Sequence, residues 1–300
     1  MDEKDWKILK ILNEERSLTK ASRRLHISQP GLTYRINQIE EQFDIKLFSR
    51  GKHSLIFTSA GEKLIDYAYK MISAQLRIKD DLSGLHNKVS GELRIGAATN
   101  FAHYLLPKLM KEFLSLYPHI KIKIHSGWNM HIIDRLHNQE DHVCITRGDY
   151  EWPEKKIYLD EDPLCLVSKH ELQVCDLPRL NMIDISLAPE TKKAERVWWK
   201  SHFNEPPQIG MVVDKVETSK AMILQDLGYS IMPKFIITED DFRAGIIIKP
   251  LYFSDGRPFT RKTCLLFHEN TPHQPVKAFT DFICHKFCNM YPKPLPLTPL

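Results

Sequence analysis

The sequence predicts an α/β protein in two parts, a small helical head joined by one long helix to a larger region where strands and helices alternate. Three observations carry this prediction. Apolar residues recur at helical spacing from Trp6 to Ile39, a 4-3 apolar repeat runs from Leu64 to Leu85, and from Glu92 onward strand-length apolar runs alternate with amphipathic segments. A chain of 300 residues that is 42% hydrophobic and 27% charged has enough apolar surface for two or three ordinary domains. Its longest apolar runs fall short of the roughly 18 residues a membrane span needs. Met1-Asp2-Glu3-Lys4-Asp5 lacks the basic-then-apolar order of a secretory signal. Six scattered cysteines, all beyond residue 143, read as thiols and not as a disulfide framework, so a cytoplasmic chain with no membrane partner is expected.

The formal charge of +4 is small, but its distribution is uneven. Between Arg16 and Gln38 the charged residues are Arg16, Lys20, Arg23, Arg24 and Arg35, while acidic residues crowd the flanks. Such a one-sign window suits a phosphate-facing surface, and equally a solvated helix face. Local architecture favours the first. Trp6, Leu9 and Leu12 form one helical stripe. A short helix from Thr19, with Leu18 stapled before it, carries Ala21 and Leu25. After a turn at His26-Ile27, Ser28 is placed to cap a third helix with Pro30 in its first turn. Leu32, Ile36 and Ile39 bury one face of that helix and leave Gln29, Thr33, Tyr34, Asn37 and Gln38 outward. This is the layout of a helix-turn-helix, whose second helix enters the major groove. The segment from Leu47 to Thr58 reads as a hairpin wing, with Arg50, Lys52 and His53 near its tip for the backbone or minor groove.

These residues resemble the winged helix-turn-helix of LysR-type transcriptional regulators. The specific pieces are Ser28-Gln29-Pro30, Leu47-Phe48-Ser49-Arg50 and Thr58-Ser59-Ala60-Gly61-Glu62, in that order. Three positions depart from the family pattern: Gly31 and Ser22 stand where alanine is usual, and Asp44 where glycine is usual. Gly31 weakens its helix by roughly 1 kcal/mol relative to alanine. The resemblance implies a DNA-binding domain over 1–60 that grips double-stranded promoter DNA through Ser28, Gln29, Pro30, Thr33, Tyr34, Arg35 and Gln38, with Arg50, Lys52 and His53 on the flanking backbone or minor groove.

A linker helix is expected over 61–89, opened by a Ser59/Glu62 capping box. Leu64, Ala68, Met71, Gln75, Ile78, Leu82 and Leu85 form a narrow seam that suits pairing with a second copy, with Gln75 as a register pin. The competing reading packs this seam on the head's own core. A homodimer or homotetramer follows from the first reading.

Residues 90–300 read as successive strand–helix units, hence a mostly parallel sheet covered on both faces. The stretches GELRIGAATNFAHYLLPKL, CITRGD and VETSKAMILQDLGYSIMP resemble the effector domain of the same family, a two-subdomain fold similar to periplasmic binding proteins. That likeness implies one lobe from about 91–161 and 267–290 and a second from about 162–266; the four prolines of 291–300 read as a final loose tail. In such folds ligands sit at the carboxyl ends of the strands. The strand ends here offer Thr99, Asn100, Ser126, Trp128, Arg147, Glu217 and Thr218 for a small-molecule effector. Arg147 is the expected charge partner of an anionic group, or else an interdomain ion pair; Thr99 and Ser126 serve equally as plain helix caps. Trp128 is placed as well to pack on the core as to stack on a ligand.

Other functional classes find little support. No phosphate-binding glycine loop, G-x-S-x-G or H-E-x-x-H occurs, so no enzyme is expected. Cys284-His285-x-x-Cys288 lacks a second ligand pair for zinc, Cys165 and Cys175 are spaced unlike the family's thiol switch, and no cofactor or metal is expected. Trp198-Trp199 read as helix-packing residues. The remaining competitor is a sensing protein whose basic head contacts another protein.

Overall fold

Capping chemistry sets the limits of the first helices. In α1 (Glu3–Glu15) the Asp2 carboxylate accepts the Lys4 and Asp5 amides at 2.8 and 3.1 Å. Helix α2 (Leu18–Leu25) starts on Ser17, one residue before the expected staple position, because the Ser17 hydroxyl accepts the Lys20 amide. Helix α3 (Gln29–Phe43) starts as expected on Ser28, which accepts the Gly31 amide at 3.2 Å. It stops at Asp44 in a left-handed conformation (φ 51°), where aspartate is tolerated in place of the family's glycine. The computed structural model describes residues 1–50, 55–83, 89–186, 189–269 and 273–290. The chain divides into two units, Met1–Asn87 with His137–Glu140, and Lys88–Leu136 with Asp141–Leu300.

In the head, strands β1 (Phe48–Arg50) and β2 (Leu55–Phe57) pair antiparallel, and Phe48 meets Phe57 edge to face at 6.0 Å. Leu9, Leu12, Leu32, Ile36, Ile39 and Leu47 form the core beneath them. Buried Glu40 ties α3 to the wing base by accepting the Leu47 amide at 2.8 Å while pairing with Lys46 at 2.6 Å.

Helix α4 (Ser59–Ser83) corrects two expectations. Its cap is Thr58, whose hydroxyl accepts the Gly61 amide at 3.0 Å, so Ser59 is already inside the helix. The 4-3 repeat also serves two purposes instead of one seam. Leu64 and Ala68 are buried in the head's own core, where α4 lies against α1, and Gln75 donates to Glu3 at 2.7 Å. Met71 and Ile78, with Tyr67 one turn earlier, stay exposed. Leu85 lies outside the described residues, as do Lys52, His53 and the tail over 291–300.

The second unit begins with β3 (Gly91–Ala98), α5 (Thr99–Tyr104), α6 (Leu106–Leu116), β4 (Ile120–Gly127), α7 (Asn129–His137) and β5 (Val143–Arg147). Here β3 pairs parallel with both β4 and β5, as strand–helix alternation requires. Next comes β6 (Lys155–Ser168), a long strand of which the sequence marks only the apolar end. The remaining elements are β7 (Met182–Ile185), α8 (Pro189–His202), β8 (Ile209–Val213), α9 (Val216–Leu224), β9 (Ser230–Pro233), α10 (Glu239–Arg243), β10 (Ile247–Pro250), β11 (Thr260–Phe267) and α11 (Gln274–Met290).

The sheet is mixed and not mostly parallel, because β6 runs antiparallel to β11, β9 and β10. Up to Pro163 β6 pairs with β11, and from Leu164 it pairs with β9 and β10, so one continuous strand crosses from lobe one to lobe two. The return crossing is the start of β11, whose Thr263 is already in register with Arg147 of β5, several residues before the expected boundary at 267. Lobe one packs around Phe101, Phe113, Phe279 and Ile145, and lobe two holds Trp198 and Trp199 in its core, as expected for helix-packing residues.

Gly61 is the tightest approach in the head. A Cβ there would sit 2.1 Å from the Leu47 carbonyl oxygen, so Gly61→Ala forces α4 off the wing base. Urea unfolding is expected to show a loss of about 1–3 kcal/mol, typical of overpacking against backbone.

Candidate functional sites

In the head, α3 presents Gln29, Tyr34, Asn37 and Gln38 to solvent, with Thr33 half-buried and Pro30 exposed in the first turn. Tyr34 is 65% exposed, and its hydroxyl accepts from Gln38 Nε2 at 3.0 Å. Thr19 of α2 donates to Gln29 Oε1 at 3.3 Å and so fixes the side chain that leads the helix. The Ser28 hydroxyl is committed to the cap.

Arg35 carries ion pairs within the head that the sequence does not announce. Its guanidinium spans Asp2 (Nη2, 2.5 Å) and buried Asp5 (Nε, 2.5 Å), which raises its pKa and pins α3 to the cap of α1. It braces α3 against the start of α1 while its side chain stays partly exposed. Arg24 is similarly paired, with Glu14 at 2.6 Å and Glu15 at 2.9 Å. Lys20 and Arg23 on α2 are exposed, and no ion pair is found for either among the described residues. Counting charge along the chain includes them, but the sequence does not distinguish them from the paired arginines beside them. Arg50 ends β1 opposite Leu55, in the last strand pair before the turn of the wing.

In the second unit, strand ends and helix starts from both lobes enclose a cleft of about 570 Å³. Thr99, Asn100, Trp128, Arg147 and Glu217 line it as expected, whereas Ser126 and Thr218 do not. Trp128 is 60% exposed, which places it on the cleft wall and not in the core.

Arg147 is built into the wall. Buried Asn129 holds its backbone from both sides, accepting its N–H at 2.9 Å and donating to its carbonyl at 3.0 Å. The guanidinium donates to Thr263, lies 3.4 Å from Asp162 of β6, and stacks 4.5 Å from the Phe235 ring centroid. Its charge is therefore spent on the crossing between lobes. Burial pushes Arg147 down to about 10 and Asp162 up to about 6. For both groups desolvation outweighs their mutual attraction, as expected of a buried pair at so long a separation.

The residue that sequence reasoning missed is Arg261, at the start of β11. Its Nε and Nη2 donate to the Arg147 carbonyl at 3.1 and 2.7 Å, and its Nη1 donates to Thr191 in the first turn of α8. It lines the cleft, burial lowers its pKa, and among the described residues no carboxylate lies within ion-pair distance. Only the β11–β5 register brings Arg261 beside Arg147, and no local sequence signal reports that register.

The two-part architecture matches known families. Residues 4–62 match the model described as bacterial regulatory helix-turn-helix protein, lysR family, and residues 86–287 match the LysR substrate binding domain. The chain belongs to the LysR family of bacterial transcriptional regulators. Among relatives of this regulator, the HTH-type transcriptional regulator YraN of Bacillus subtilis is 38% identical over 284 residues, covering 94% of this chain and 97% of that protein. YkuM of the same organism is 32% identical over 279 residues, covering 92% and 94%. A full-length OxyR variant from Pseudomonas aeruginosa shares the fold at a TM-score of 0.62 with 19% identity, covering 94% of each chain. CbnR complexed with its target DNA shares it at 0.63 with 17% identity, covering 95% of this chain and 99% of that one. The regulator thus joins a helix-turn-helix DNA-binding domain to an effector-binding domain, in a family of regulators and not of enzymes. Among its described residues no helix is long and apolar enough to cross a membrane.

The raised pKa of Asp162 has a definite sign. The folded state binds this proton more tightly than the unfolded chain, so the stabilisation is complete below about pH 4 and is lost as pH rises through about 6. Asp162→Asn is expected to remove that component. The difference between wild-type and variant unfolding free energies, measured from pH 4 to 7, should change across this window and flatten above it.

Proposed function

We propose that this regulator binds a partly dyad-symmetric promoter duplex as a homodimer or homotetramer, under the control of a small anionic metabolite in the inter-lobe cleft. Base edges are read by Gln29, Thr33, Tyr34 and Gln38, with Ser28 and Pro30 setting the angle of α3. Phosphates fall to Lys20, Arg23, Arg50, Lys52 and His53. The exposed Tyr67, Met71 and Ile78 share one side of α4 at helical spacing and supply the surface for a second copy. Pairing two heads multiplies affinity and lengthens the sequence read.

The observation that carries the anionic effector is Arg261. A largely buried guanidinium with no carboxylate within ion-pair distance among the described residues, held by two bonds to one carbonyl and one to Thr191, is preorganised for an incoming carboxylate or similar oxyanion. Arg147 supports it from behind. Thr99 and Asn100 line the same cleft from lobe one, and Glu217 lines it from lobe two, so an occupant can touch both lobes. Such a ligand acts only through unequal affinity for two lobe arrangements.

Gln29→Ala and Thr33→Ala are expected to relax sequence preference, each at about 1–3 kcal/mol on the cognate site. Lys20→Ala and Arg23→Ala should weaken binding to all duplexes alike and lower the salt slope by about one each. Fluorescence anisotropy on cognate and scrambled duplexes over a salt series separates the two classes; equal loss on every duplex for both contradicts these roles.

A thermal-shift screen of small mono- and dicarboxylates on the full chain tests the cleft. Any anion that raises the melting temperature of the wild type should fail with Arg261→Gln, while duplex binding without ligand persists. A retained shift assigns the anion elsewhere.

A further inference from the structure

We infer that Tyr104 and Glu217 form a latch across the mouth of the effector cleft, which holds the two lobes together until a ligand displaces α5. The inference rests on the cleft reading above and names how that site is gated. Tyr104 is the last residue of α5, in lobe one, yet its ring packs against the apolar core of lobe two. It meets Phe235 edge to face at 6.4 Å, and Lys220 Nζ lies 4.9 Å from its ring centroid. Its hydroxyl donates to Glu217 Oε1 in the first turn of α9 at 2.9 Å, with His103 Nε2 at 3.8 Å from the same oxygen.

The receiving surface is rigid. Buried Lys220 donates to the Ile236 carbonyl at 3.1 Å and to Asp241 at 2.7 Å, so the ring lands on a cation that is itself fixed. Burial first, and the neighbouring Glu217 carboxylate next, push the Tyr104 pKa up, which keeps the phenol a donor.

The coupling to ligand is short. Thr99 and Asn100 open the same six-residue helix that Tyr104 closes, and both line the cleft. Glu217 lines it from the other lobe. A ligand that draws on Thr99 or Asn100 therefore moves the helix carrying the latch, and one that engages Glu217 competes directly with the Tyr104 hydroxyl. Both routes exchange a lobe–lobe contact for a ligand contact, which gives the two lobe arrangements the unequal affinities that regulation needs. Tyr104 and Glu217 act here as positioning residues.

Amide hydrogen exchange on the full chain, without DNA or ligand, tests the latch in wild type, Tyr104→Phe, Glu217→Ala and the double variant. The expected result is exchange about fivefold faster in Tyr104→Phe over both 99–105 and 216–224, the weight of one lost hydrogen bond. Residues 143–147 should be unchanged, and the double variant should be no faster than Tyr104→Phe alone. Unchanged exchange over 216–224, or additive effects of the two substitutions, overturns the latch. If Tyr104→Phe also loosens 143–147, Glu217→Ala alone decides by the same two segments. With no DNA or anion in the experiment, its failure leaves the DNA-binding and anion readings standing, and their failure leaves the latch standing.

Discussion

Arg147 carries its guanidinium into the interior at the carboxyl end of β5, and the way that charge is compensated organises the effector domain. Its partners sit on other elements: Asp162 on the crossing strand β6, Thr263 on the returning strand β11, and the Phe235 ring from lobe two. A buried ion pair adds little net stability, but removing one partner leaves an uncompensated charge at a cost of about 3–5 kcal/mol. The arrangement therefore fixes where the strands cross more than it strengthens the fold. Because Asn129 clamps the Arg147 backbone, the carbonyl of Arg147 is held steady for Arg261. One buried arginine thus holds a second in the cleft wall, with no carboxylate in direct ion-pair contact among the described residues.

The head solves a parallel problem with smaller means. A recognition helix must show polar side chains to solvent while being held rigidly from below. Ser28 caps its start, Arg35 braces its middle against Asp2 and Asp5, and Glu40 ties its end to the wing. Each brace uses a polar residue of α3 or its cap that does not face outward with Gln29 and Tyr34. Gly61 then lets α4 pass close to the Leu47 carbonyl, so wing and connecting helix share one base.

What was legible in the sequence was local. The Ser28 cap, the Leu32–Ile36–Ile39 stripe and the strand–turn–helix order around β3 and β5 depend on residues within a few positions of one another. Errors arose where a feature had two local solutions, as with Thr58 against Ser59 for the α4 cap. Others arose where a partner lies far along the chain. The ion pairs of Arg35 with Asp2 and Asp5 join residues about thirty positions apart and leave no local trace. The α4 repeat looks like one seam until α1 covers its first half. The charged first half of β6 does not read as a strand, because its pairing with β11 supplies the pattern that its own residues lack. Arg261 becomes visible only through register between strands more than a hundred residues apart.

Hydroxyl-radical footprinting of the full-length protein, on a duplex selected from a random pool by the protein itself, tests the central claim most directly. Two α3 helices presented by a paired molecule should protect two patches on one face of the DNA, spaced by about 34–36 Å or a multiple of it. A single isolated patch, or no protection even at low ionic strength, would contradict the account.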